Sequence, residues 1–371
     1  MTEQWKRRDF LKASATLAGA AAAGGFSCVE FASAMPIEVP VVDKLSVRVV
    51  IDLIHNNFLR PATFKNVAIQ PAPRPKDFTK VIHTQWGLSL LLESQKGEEA
   101  RTIMLDFGYT TEALLNNLEL LGVEPAKIDA LVVSHGHFDH YGGLIGFLDK
   151  HRGAMKTDLK LYAGGEDNFC HRLQGTGTAG QFSDFGYLDR NALAARKVGT
   201  VLCENPTVIA GHAFTSGQIK RVTDEKILPQ TFEQSGIKDG LGCDATHYMP
   251  TEMQGKVVPD EHWHEHVTCF NVKDRGLVVL SSCSHRGVVN AVKQAQEVSG
   301  VKKVHALLGG FHLGPAPMDY TKQIATEIAA LDPDVVVPMH CSGQNFVEAM
   351  EQIAPDRLLV ASAGARLTFG A

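Results

Sequence analysis

Three histidines and an aspartate lie within six residues of one another in the segment SHGHFDH, which begins at Ser134. The segment follows the apolar stretch 128–133, which we expect to be a buried strand, so the four side chains lie at a strand end. Neutral imidazole is the commonest side-chain ligand of divalent transition metals, and carboxylate completes mixed nitrogen and oxygen sites. An ordinary turn is a poor alternative, because each buried polar group would need its own hydrogen-bond partner. The predicted metal ligands are His135, His137, Asp139 and His140.

Other predicted strands are also followed by residues that bind metals. In open α/β sheets the loops beyond the carboxyl ends of the strands share one edge, and ligands bind there. We therefore expect these strand ends to meet the SHGHFDH segment. The three predicted strands are 277–281, 304–308 and 335–337. The helices predicted to follow them are 288–298, 320–331 and 346–353. The residues at the strand ends are Cys283, His285, His312 and His340.

Each of these residues has a second interpretation. His285 opens a predicted helix and could cap it or support a ligand by a hydrogen bond, although its strand-end position favours metal binding. His312 lies between Phe311 and Leu313 and is equally consistent with a hydrogen-bonded core histidine. Cys283 could be a small buried hydrophobic residue. For Cys341, beside His340, packing is favoured over metal binding.

Two further segments are unusual in composition but are not placed in the predicted site. The segment HWHEH, 262–266, alternates, so its histidines would share one face of a strand. These histidines could bind metal, but we favour a solvent-exposed strand face or loop, since nothing nearby supplies a residue that would support a ligand. The glycine-rich segment QGTGTAGQFSDFG, 174–186, lacks the lysine and the strand–loop–helix setting of a phosphate-binding loop. It is interpreted as a mobile loop or a lid.

The elements upstream complete a predicted α/β fold. Strands are expected at 47–53, 88–93 and 102–105, and a helix at 111–121 that stops at Gly122. Residues 35–371 are expected to form a single domain, with a looser insertion at about 162–272.

Residues 1–34 are expected to be a targeting segment and are excluded from the fold. Two arginines, Arg7 and Arg8, are followed by Phe-Leu-Lys, a weakly apolar Ala/Gly stretch and the Ala32-Ser33-Ala34 cleavage pattern. This arrangement resembles a twin-arginine export signal. It predicts the Tat export machinery as a partner, cleavage after Ala34, and a periplasmic or otherwise exported protein. The apolar stretch is too short and glycine-broken for a lasting membrane span of about 20 residues, so no stable membrane insertion is expected.

Charge and cysteine content narrow the function classes. The net charge of −5 becomes −6 once residues 1–34 are removed. A net-acidic protein is a poor partner for nucleic acid or anionic lipid, so a small-molecule substrate is expected. The six cysteines that remain form no CxxC pair, and whether any of them form disulfides stays open.

The motifs themselves resemble a known family. SHGHFDHYGGL resembles the HxHxDH motif of the metallo-β-lactamase superfamily, whose fold is a four-layer αβ/βα sandwich with one or two metals between its sheets. Asp106, in MLDFG, resembles the aspartate that there orients a ligand. Four further segments resemble one branch of this superfamily, the proteins similar to dihydropterin-methyl ribofuranosylaminobenzene phosphate synthase. These are WGLSLLLE, SSCSHRGVVN, LLGGFHLGP and VPMHCSG.

The resemblance implies a ligand set with two gaps. His135 and His137 would bind a first metal, and Asp139, His140 and His340 a second. The third ligand of the first metal is expected in FTSGQIKR, 214–221, where Gln218 stands in place of a histidine. The bridging carboxylate is also missing, because SCSH follows the strand 277–281. His285 is predicted to fill part of this gap, with His312 and Cys283 as weaker candidates, and the metal count and identity stay open.

The expected function is that of an exported metal-dependent hydrolase. A bound ion lowers the pKa of water from 15.7 to about 7 and so supplies hydroxide, while Asp139 would hold the metal and orient that hydroxide. The expected cofactors are one or two divalent metals, Zn first, with Mn or Fe as alternatives. The substrate would be a phosphoester, lactone or similar small ester. The alternatives are an iron-dependent oxidoreductase of the same fold and a non-catalytic exported metal- or ligand-binding protein.

Overall fold

The computed structural model describes residues 36–228, 231–244 and 257–370. The proposed targeting segment, residues 1–34, lies outside the described residues, as does part of the predicted insertion. Within the described part of the chain, no helix is both long enough and apolar enough to cross a membrane.

The described residues contain 22 strands and seven α-helices. The strands of the first half are β1 (Val41–Val42), β2 (Lys44–Ile51), β3 (Ala62–Phe64), β4 (Val67–Gln70), β5 (Ser89–Lys96), β6 (Glu99–Leu105), β7 (Ile128–Val133), β8 (Lys160–Ala163), β9 (His171–Gly175) and β10 (Phe182–Asp184). Those of the second half are β11 (Gly199–Leu202), β12 (Val208–Ile209), β13 (Ala213–Thr215), β14 (Thr231–Gln234), β15 (Gly236–Lys238), β16 (Leu241–Cys243), β17 (Val257–Pro259), β18 (Thr268–Val272), β19 (Gly276–Ser281), β20 (Val304–Gly309), β21 (Val335–Pro338) and β22 (Arg366–Phe369). The helices are α1 (Thr111–Leu120), α2 (Phe138–Tyr141), α3 (Leu144–His151), α4 (Arg190–Ala195), α5 (Val288–Ser299), α6 (Met318–Ala330) and α7 (Gln344–Ile353).

Two large sheets organise the chain. The first has nine strands in the order β11-β8-β7-β6-β5-β2-β22-β4-β3, and the second has the order β12-β13-β18-β19-β20-β21, with β1 pairing beside β18. The strands β6, β7 and β8 run parallel, as do β19, β20 and β21. The carboxyl ends of each parallel set therefore lie at one edge of its sheet, as the predicted site requires.

Alternating side chains of the strands build three separate cores. In β5, Leu90 and Leu92 point into the core shared by the two sheets, whereas Leu91 points towards α1 and α3. In β19, Val278 joins the shared core and Val279 packs with the helices α5, α6 and α7. A sheet that is covered on both faces needs apolar residues at consecutive positions. Three cores separate four layers, and the predicted αβ/βα sandwich is confirmed.

The predicted elements agree with the structure to within a few residues. β7 and the prediction of 128–133 coincide, and α1 begins at Thr111 because the Thr110 side chain accepts a hydrogen bond from the Ala113 N–H. The difference nearest the predicted site is in β2, which ends at Ile51 rather than residue 53. There Asp52 leaves the sheet, and its Oδ1 accepts a hydrogen bond from the His340 N–H at 2.8 Å.

The inserted region is more ordered than predicted. The glycine-rich segment interpreted as a mobile loop or lid contains β10 and the end of β9, which pair as an antiparallel hairpin. This hairpin belongs to a small sheet of order β10-β9-β14-β17. A disulfide between Cys170 and Cys243 links the start of this region to β16, which answers the question that the spacing left open.

Candidate metal centre

The SHGHFDH segment turns from β7 directly into the short helix α2. Gly136 is required in this turn, because a Cβ there would overlap the guanidinium of the fully buried Arg172. His135, His137, Asp139 and His140 are all at most 5% exposed. The turn therefore holds three imidazoles and a carboxylate in the interior, at the edge where the two sheets meet.

The strand ends of the second sheet bring the other predicted residues to the same place. The ring centroid of His285 lies 4.9 Å from that of His135 and 4.6 Å from that of His137. His340 Nε2 lies 3.2 Å from His140 Nε2 and 3.2 Å from an oxygen of Asp139. The structure thus gathers six predicted ligands, which are His135, His137, Asp139, His140, His285 and His340. That they bind a metal stays a prediction.

Asp106 fixes the orientation of the first half of the cluster. One of its oxygens accepts a hydrogen bond from the Ser134 N–H at 2.8 Å, and the other accepts from the Ser134 hydroxyl and from His140 Nδ1, both at 2.7 Å. The Ser134 oxygen in turn lies 2.9 Å from His135 Nδ1 and can accept its proton. Both histidines then carry their proton on Nδ1, which leaves the Nε2 lone pairs for a metal.

A second network, not foreseen from the sequence, supports His137. Its Nε2 lies 3.0 Å from the Thr231 hydroxyl and 3.7 Å from a carboxylate oxygen of Asp260. Arg172 donates to the same Asp260 oxygen at 3.0 Å and to the carbonyl of Asp167 at 2.7 Å. A proton on His137 Nε2 leaves Nδ1 as the nitrogen that could bind a metal.

Burial keeps most of these imidazoles neutral. It lowers the pKa of His135 and His285 well below the ordinary value, and the neighbouring histidines lower each further, because two adjacent imidazoles disfavour protonation of both. Burial also lowers the pKa of His137, although Asp260 opposes the shift. Neutral imidazole is the form that binds metals.

Asp139 and His340 form the charged part of the cluster. Burial acts to raise the pKa of Asp139, but His140 and His340 outweigh it and hold that pKa below its ordinary value. For His340, burial acts to lower the pKa, but Cys341 and the carboxylate of Asp139 raise it to about 9. A cation bound here would displace the His340 proton, since metal binding requires the free lone pair.

Several buried histidine nitrogens are free to bind a metal, because they have no hydrogen-bond partner among the described residues. His135 Nε2, His312 Nε2 and both ring nitrogens of His285 are buried without a hydrogen-bond partner among the described residues. A buried polar group without a partner costs about 1–3 kcal/mol. A bound cation would satisfy the nitrogens that face it, so the residues present fit one or two divalent metals.

Cys283 lies at the centre of the candidate ligand groups. Its Sγ lies within 4.8 Å of the ligand atoms of three pairs of residues. The pairs are His135 with His285, His140 with His340, and His312 with Cys341. Burial raises the pKa of the Cys283 thiol, and a hydrogen bond to Cys341 raises it further. Cys283 is thus the residue that candidate groups on both halves of the cluster share.

The expectation that HWHEH is exposed to solvent was wrong, whereas its interpretation as a loop, one of the two alternatives, is confirmed. The segment forms a turn between β17 and β18 rather than a strand, and its histidines are each 1% exposed. The His262 ring stacks on the His285 ring at 4.0 Å, and these two form a candidate ligand group with His137. Burial lowers the pKa of His262 to about 3, although Asp260 opposes the shift.

An extra imidazole beside His137 and His285 therefore comes from His262 and not from the segment that contains Gln218. The segment 214–221 instead continues from β13, and the Gln218 N–H donates to the Glu204 carbonyl. One signal in the sequence could have identified His262. HWHEH directly precedes the two strands, β18 and β19, that lead to Cys283 and His285.

A cavity of about 260 Å³ opens onto the cluster. Asp139 and His340 line it, and the Trp86 ring lies edge-on to His340 with centroids 5.0 Å apart. The remaining lining residues are Tyr109, His137, Gln174, Phe185, Thr231, Cys283, His312 and Cys341. The cluster is thus accessible to a small molecule from one side, through an aromatic rim.

Comparisons with known proteins agree with this geometry. Residues 87–154 match the family model described as the metallo-beta-lactamase superfamily. The chain is 30% identical over 287 residues to the 7,8-dihydropterin-6-methyl-4-(beta-D-ribofuranosyl)-aminobenzene-5'-phosphate synthase of Methanocaldococcus jannaschii, and the match covers 74% of this chain and 90% of that protein. The chain belongs to the metallo-β-lactamase superfamily. The expected similarity to the synthase branch is confirmed by the same match.

Two further relatives extend the comparison. The chain is 27% identical over 277 residues to the uncharacterized protein MJ0448 of the same organism, covering 74% of this chain and 90% of that protein. The crystal structure of Tm1679, a metal-dependent hydrolase of the beta-lactamase superfamily, superposes with a TM-score of 0.62 at 19% identity. It covers 87% of this chain and 98% of that one, and so confirms the metallo-β-lactamase fold over nearly the whole described chain.

Proposed function

We propose that this metallo-β-lactamase-fold chain is an exported, metal-dependent hydrolase of small ester-type substrates. The observation that carries the proposal is the position of Asp139. It faces a cavity of about 260 Å³ and lies beside neutral imidazoles whose free nitrogens can hold divalent metal. Zn is the expected metal, since imidazole, carboxylate and thiol together suit it better than Mg or Mn.

The proposed ligands divide into two adjoining sets. His135, His137 and His285, whose rings adjoin one another, would hold one ion. His262 forms a candidate group with His137 and His285 and could replace or assist His135. Asp139, His140 and His340, with Cys283 beside them, would hold the other. A bound divalent cation supplies a water that is reactive near neutral pH and polarises the electrophile.

The chain's own residues would then position the reactants. Asp139 is anionic at neutral pH, so its carboxylate can accept a hydrogen bond from the attacking water and orient it. Trp86, Tyr109 and Phe185 line the cavity and offer flat apolar surfaces to a substrate. Asp106 and Thr231 hold His140 and His137 in the orientation that the ligand set needs.

The lining of the cavity favours an uncharged ester or lactone over a phosphate ester. Among the described residues that line it, none is a lysine or an arginine. Phosphate groups are usually bound by arginine, lysine or backbone N–H groups in addition to metal. The phosphate in the name of the Methanocaldococcus relative is therefore not extended to this chain.

The test is hydrolysis by the metal-loaded protein without residues 1–34. We expect turnover of p-nitrophenyl acetate or a γ-lactone, with p-nitrophenyl phosphate cleaved more slowly. Asp139→Asn should lower kcat by at least about 100-fold, given the 10²–10⁴-fold range of general acid–base contributions. Asp129→Asn, which alters a carboxylate at the far end of β7, is the matched control.

Two other outcomes would favour the alternative functions. Metal bound without turnover of any ester would favour a binding protein, and bound iron with a visible absorption band would favour the oxidoreductase.

Export is tested separately. We expect the protein in the periplasmic fraction with Met35 as its first residue, and cytosolic retention when Arg7 and Arg8 are both replaced by lysine. Full-length protein confined to the cytosol would contradict export but would leave the hydrolase proposal intact.

A further inference from the structure

Two buried cysteines and a histidine form a compact cluster on one wall of the cavity. Cys283 Sγ lies 3.1 Å from Cys341 Sγ and 3.5 Å from His312 Nδ1. The three residues are at most 8% exposed, yet all three line the cavity that holds Asp139. The cluster is thus shielded from bulk solvent and open towards the proposed site.

Three separate strand ends must converge to build this cluster. Cys283 follows β19, His312 follows β20, and Cys341 follows β21. A Cβ on Gly310 would lie only 2.7 Å from Cys341 Sγ, so the close approach depends on glycine. The fold therefore brings both sulfur atoms and the imidazole together, although Cys283 and Cys341 are 58 residues apart in the sequence.

The backbone at each strand end is held in an unfavourable conformation. Ser284, His312 and His340 have φ angles of 64°, 48° and 47°, in the left-handed region that residues other than glycine rarely adopt. Such conformations persist only where the surrounding structure enforces them, and they concentrate at functional sites. A role limited to packing would not require all three.

We propose that Cys283, His312 and Cys341 form a sulfur-rich subsite for a thiophilic divalent cation of the zinc class. A tetrahedral zinc site would separate two thiolate sulfurs by roughly 3.8 Å and a sulfur from a nitrogen by roughly 3.5 Å, given Zn–S of about 2.3 Å and Zn–N of about 2.0 Å. The observed Sγ–Nδ1 distance of 3.5 Å matches that geometry. The two sulfurs, 3.1 Å apart, would need to separate by about 0.7 Å.

A disulfide accounts for fewer of the observations. It would draw the two sulfurs together to about 2.0 Å and would leave His312 without a role. The His312 N–H already donates to Cys341 Sγ at 3.3 Å, and His312 Nε2 has no hydrogen-bond partner among the described residues. The 3.5 Å approach of His312 Nδ1 to Cys283 Sγ places the imidazole with the sulfur pair rather than with the surrounding core.

The subsite would influence which metal the whole centre binds. Cys283 also belongs to the groups formed with His135 and His285 and with His140 and His340. Thiolate ligands favour Zn over Mg and Mn, so the sulfur pair would select the metal next to the imidazoles. Metal binding at this subsite does not depend on the reaction proposed above.

The first test uses Co²⁺ as a spectroscopic probe of the metal-free protein. We expect a thiolate-to-cobalt charge-transfer band that falls by about half in Cys283→Ser and in Cys341→Ser, because one of two soft ligands is removed in each. The double variant should lose the band and about one bound ion per chain. Cys203→Ser, which changes another buried free cysteine, is the control and should leave both unchanged. A full band and full stoichiometry in Cys341→Ser would overturn the inference, because Cys283 alone would then be a ligand.

The second test needs no substitution and so does not depend on how the variants fold. The unaltered protein is alkylated in denaturant-free buffer with and without Zn²⁺, and each cysteine is followed by mass spectrometry. We expect Zn²⁺ to slow the modification of Cys283 and Cys341 at least tenfold, because a metal-bound thiolate is a weaker nucleophile, and to leave Cys203 unchanged. Equal protection of all three residues, or a Cys283–Cys341 disulfide in protein isolated from the periplasm, would refute the subsite.

Discussion

Replacing Asp106 by asparagine should weaken metal binding about 30-fold while leaving the fold in place. The carboxylate accepts three hydrogen bonds, two from Ser134 and one from His140 Nδ1. An asparagine can keep its oxygen towards the Ser134 N–H, and the Ser134 hydroxyl can rotate to accept from the new amide. His140 then faces an N–H donor instead of an acceptor.

The substitution of Asp106 changes the protonation of the other ring nitrogen of His140, Nε2. With a donor beside Nδ1, the His140 proton moves to Nε2, the atom that lies 3.2 Å from His340 Nε2 and belongs to the candidate ligand group. Restoring the binding tautomer costs about the value of one hydrogen bond to a charged group, roughly 2 kcal/mol. Since about 1.4 kcal/mol corresponds to a factor of ten, the expected loss in affinity is about 30-fold.

The assay is a competition for Zn²⁺ against a chromophoric chelator, paired with thermal unfolding of the metal-free protein. Asp129→Asn is the matched control, because Asp129 also accepts a backbone N–H, from Thr102, at the opposite end of β7. The reasoning is refuted if Asp106→Asn binds Zn²⁺ as tightly as the unaltered protein. It is also refuted if the two variants lose the same affinity, since the effect would then not depend on His140.

Three further outcomes are expected. Arg172→Met should lower the free energy of unfolding by about 3–5 kcal/mol, because it leaves the carboxylate of Asp260 buried without its cation; a loss below about 1 kcal/mol in urea unfolding would contradict this. Replacing both Cys170 and Cys243 by alanine should cost about 4 kcal/mol in the same measurement, from the loop entropy of a 73-residue separation, whereas Cys203→Ala should cost clearly less. Removing metal with a chelator should lower Tm, and restoring Zn²⁺ at 100 times its Kd should return about 2.7 kcal/mol of stability. An unchanged Tm would count against a metal bound by the native state.

The sequence could predict those site residues that directly follow a predicted strand. SHGHFDH is contiguous with its strand, so the strand pattern and the ligand pattern could be recognised together. His285, His312 and His340 were found in the same way, as residues at the ends of apolar stretches. The sheet then brings them together, as the shared edge of parallel strands requires.

HWHEH was misread because its environment comes from distant segments. An alternating His-x-His-x-His pattern is the same for an exposed strand face and for a buried turn. Burial of His264 depends on Arg172, which lies 92 residues earlier and approaches within 2.9 Å of its ring. Thr231 and Asp260, which support His137, are also far from it in the chain. No local pattern contains that information.

The two halves of the cluster differ in how firmly they are held before metal binds. His135, His137 and His140 each have one ring nitrogen within hydrogen-bonding distance of Ser134, Thr231 or Asp106, so their tautomers and orientations are set by the protein. His285 has no such partner among the described residues on either nitrogen, and only ring contacts orient it. The first half is therefore preorganised by its hydrogen bonds, whereas the ring nitrogens of His285 would gain their first polar partner from the metal. With such a difference, a centre that departs from the usual ligand set would still be specific. The fixed half would determine where an ion lies, and the strand ends of the second sheet, which carry sulfur as well as imidazole, would determine which ion stays.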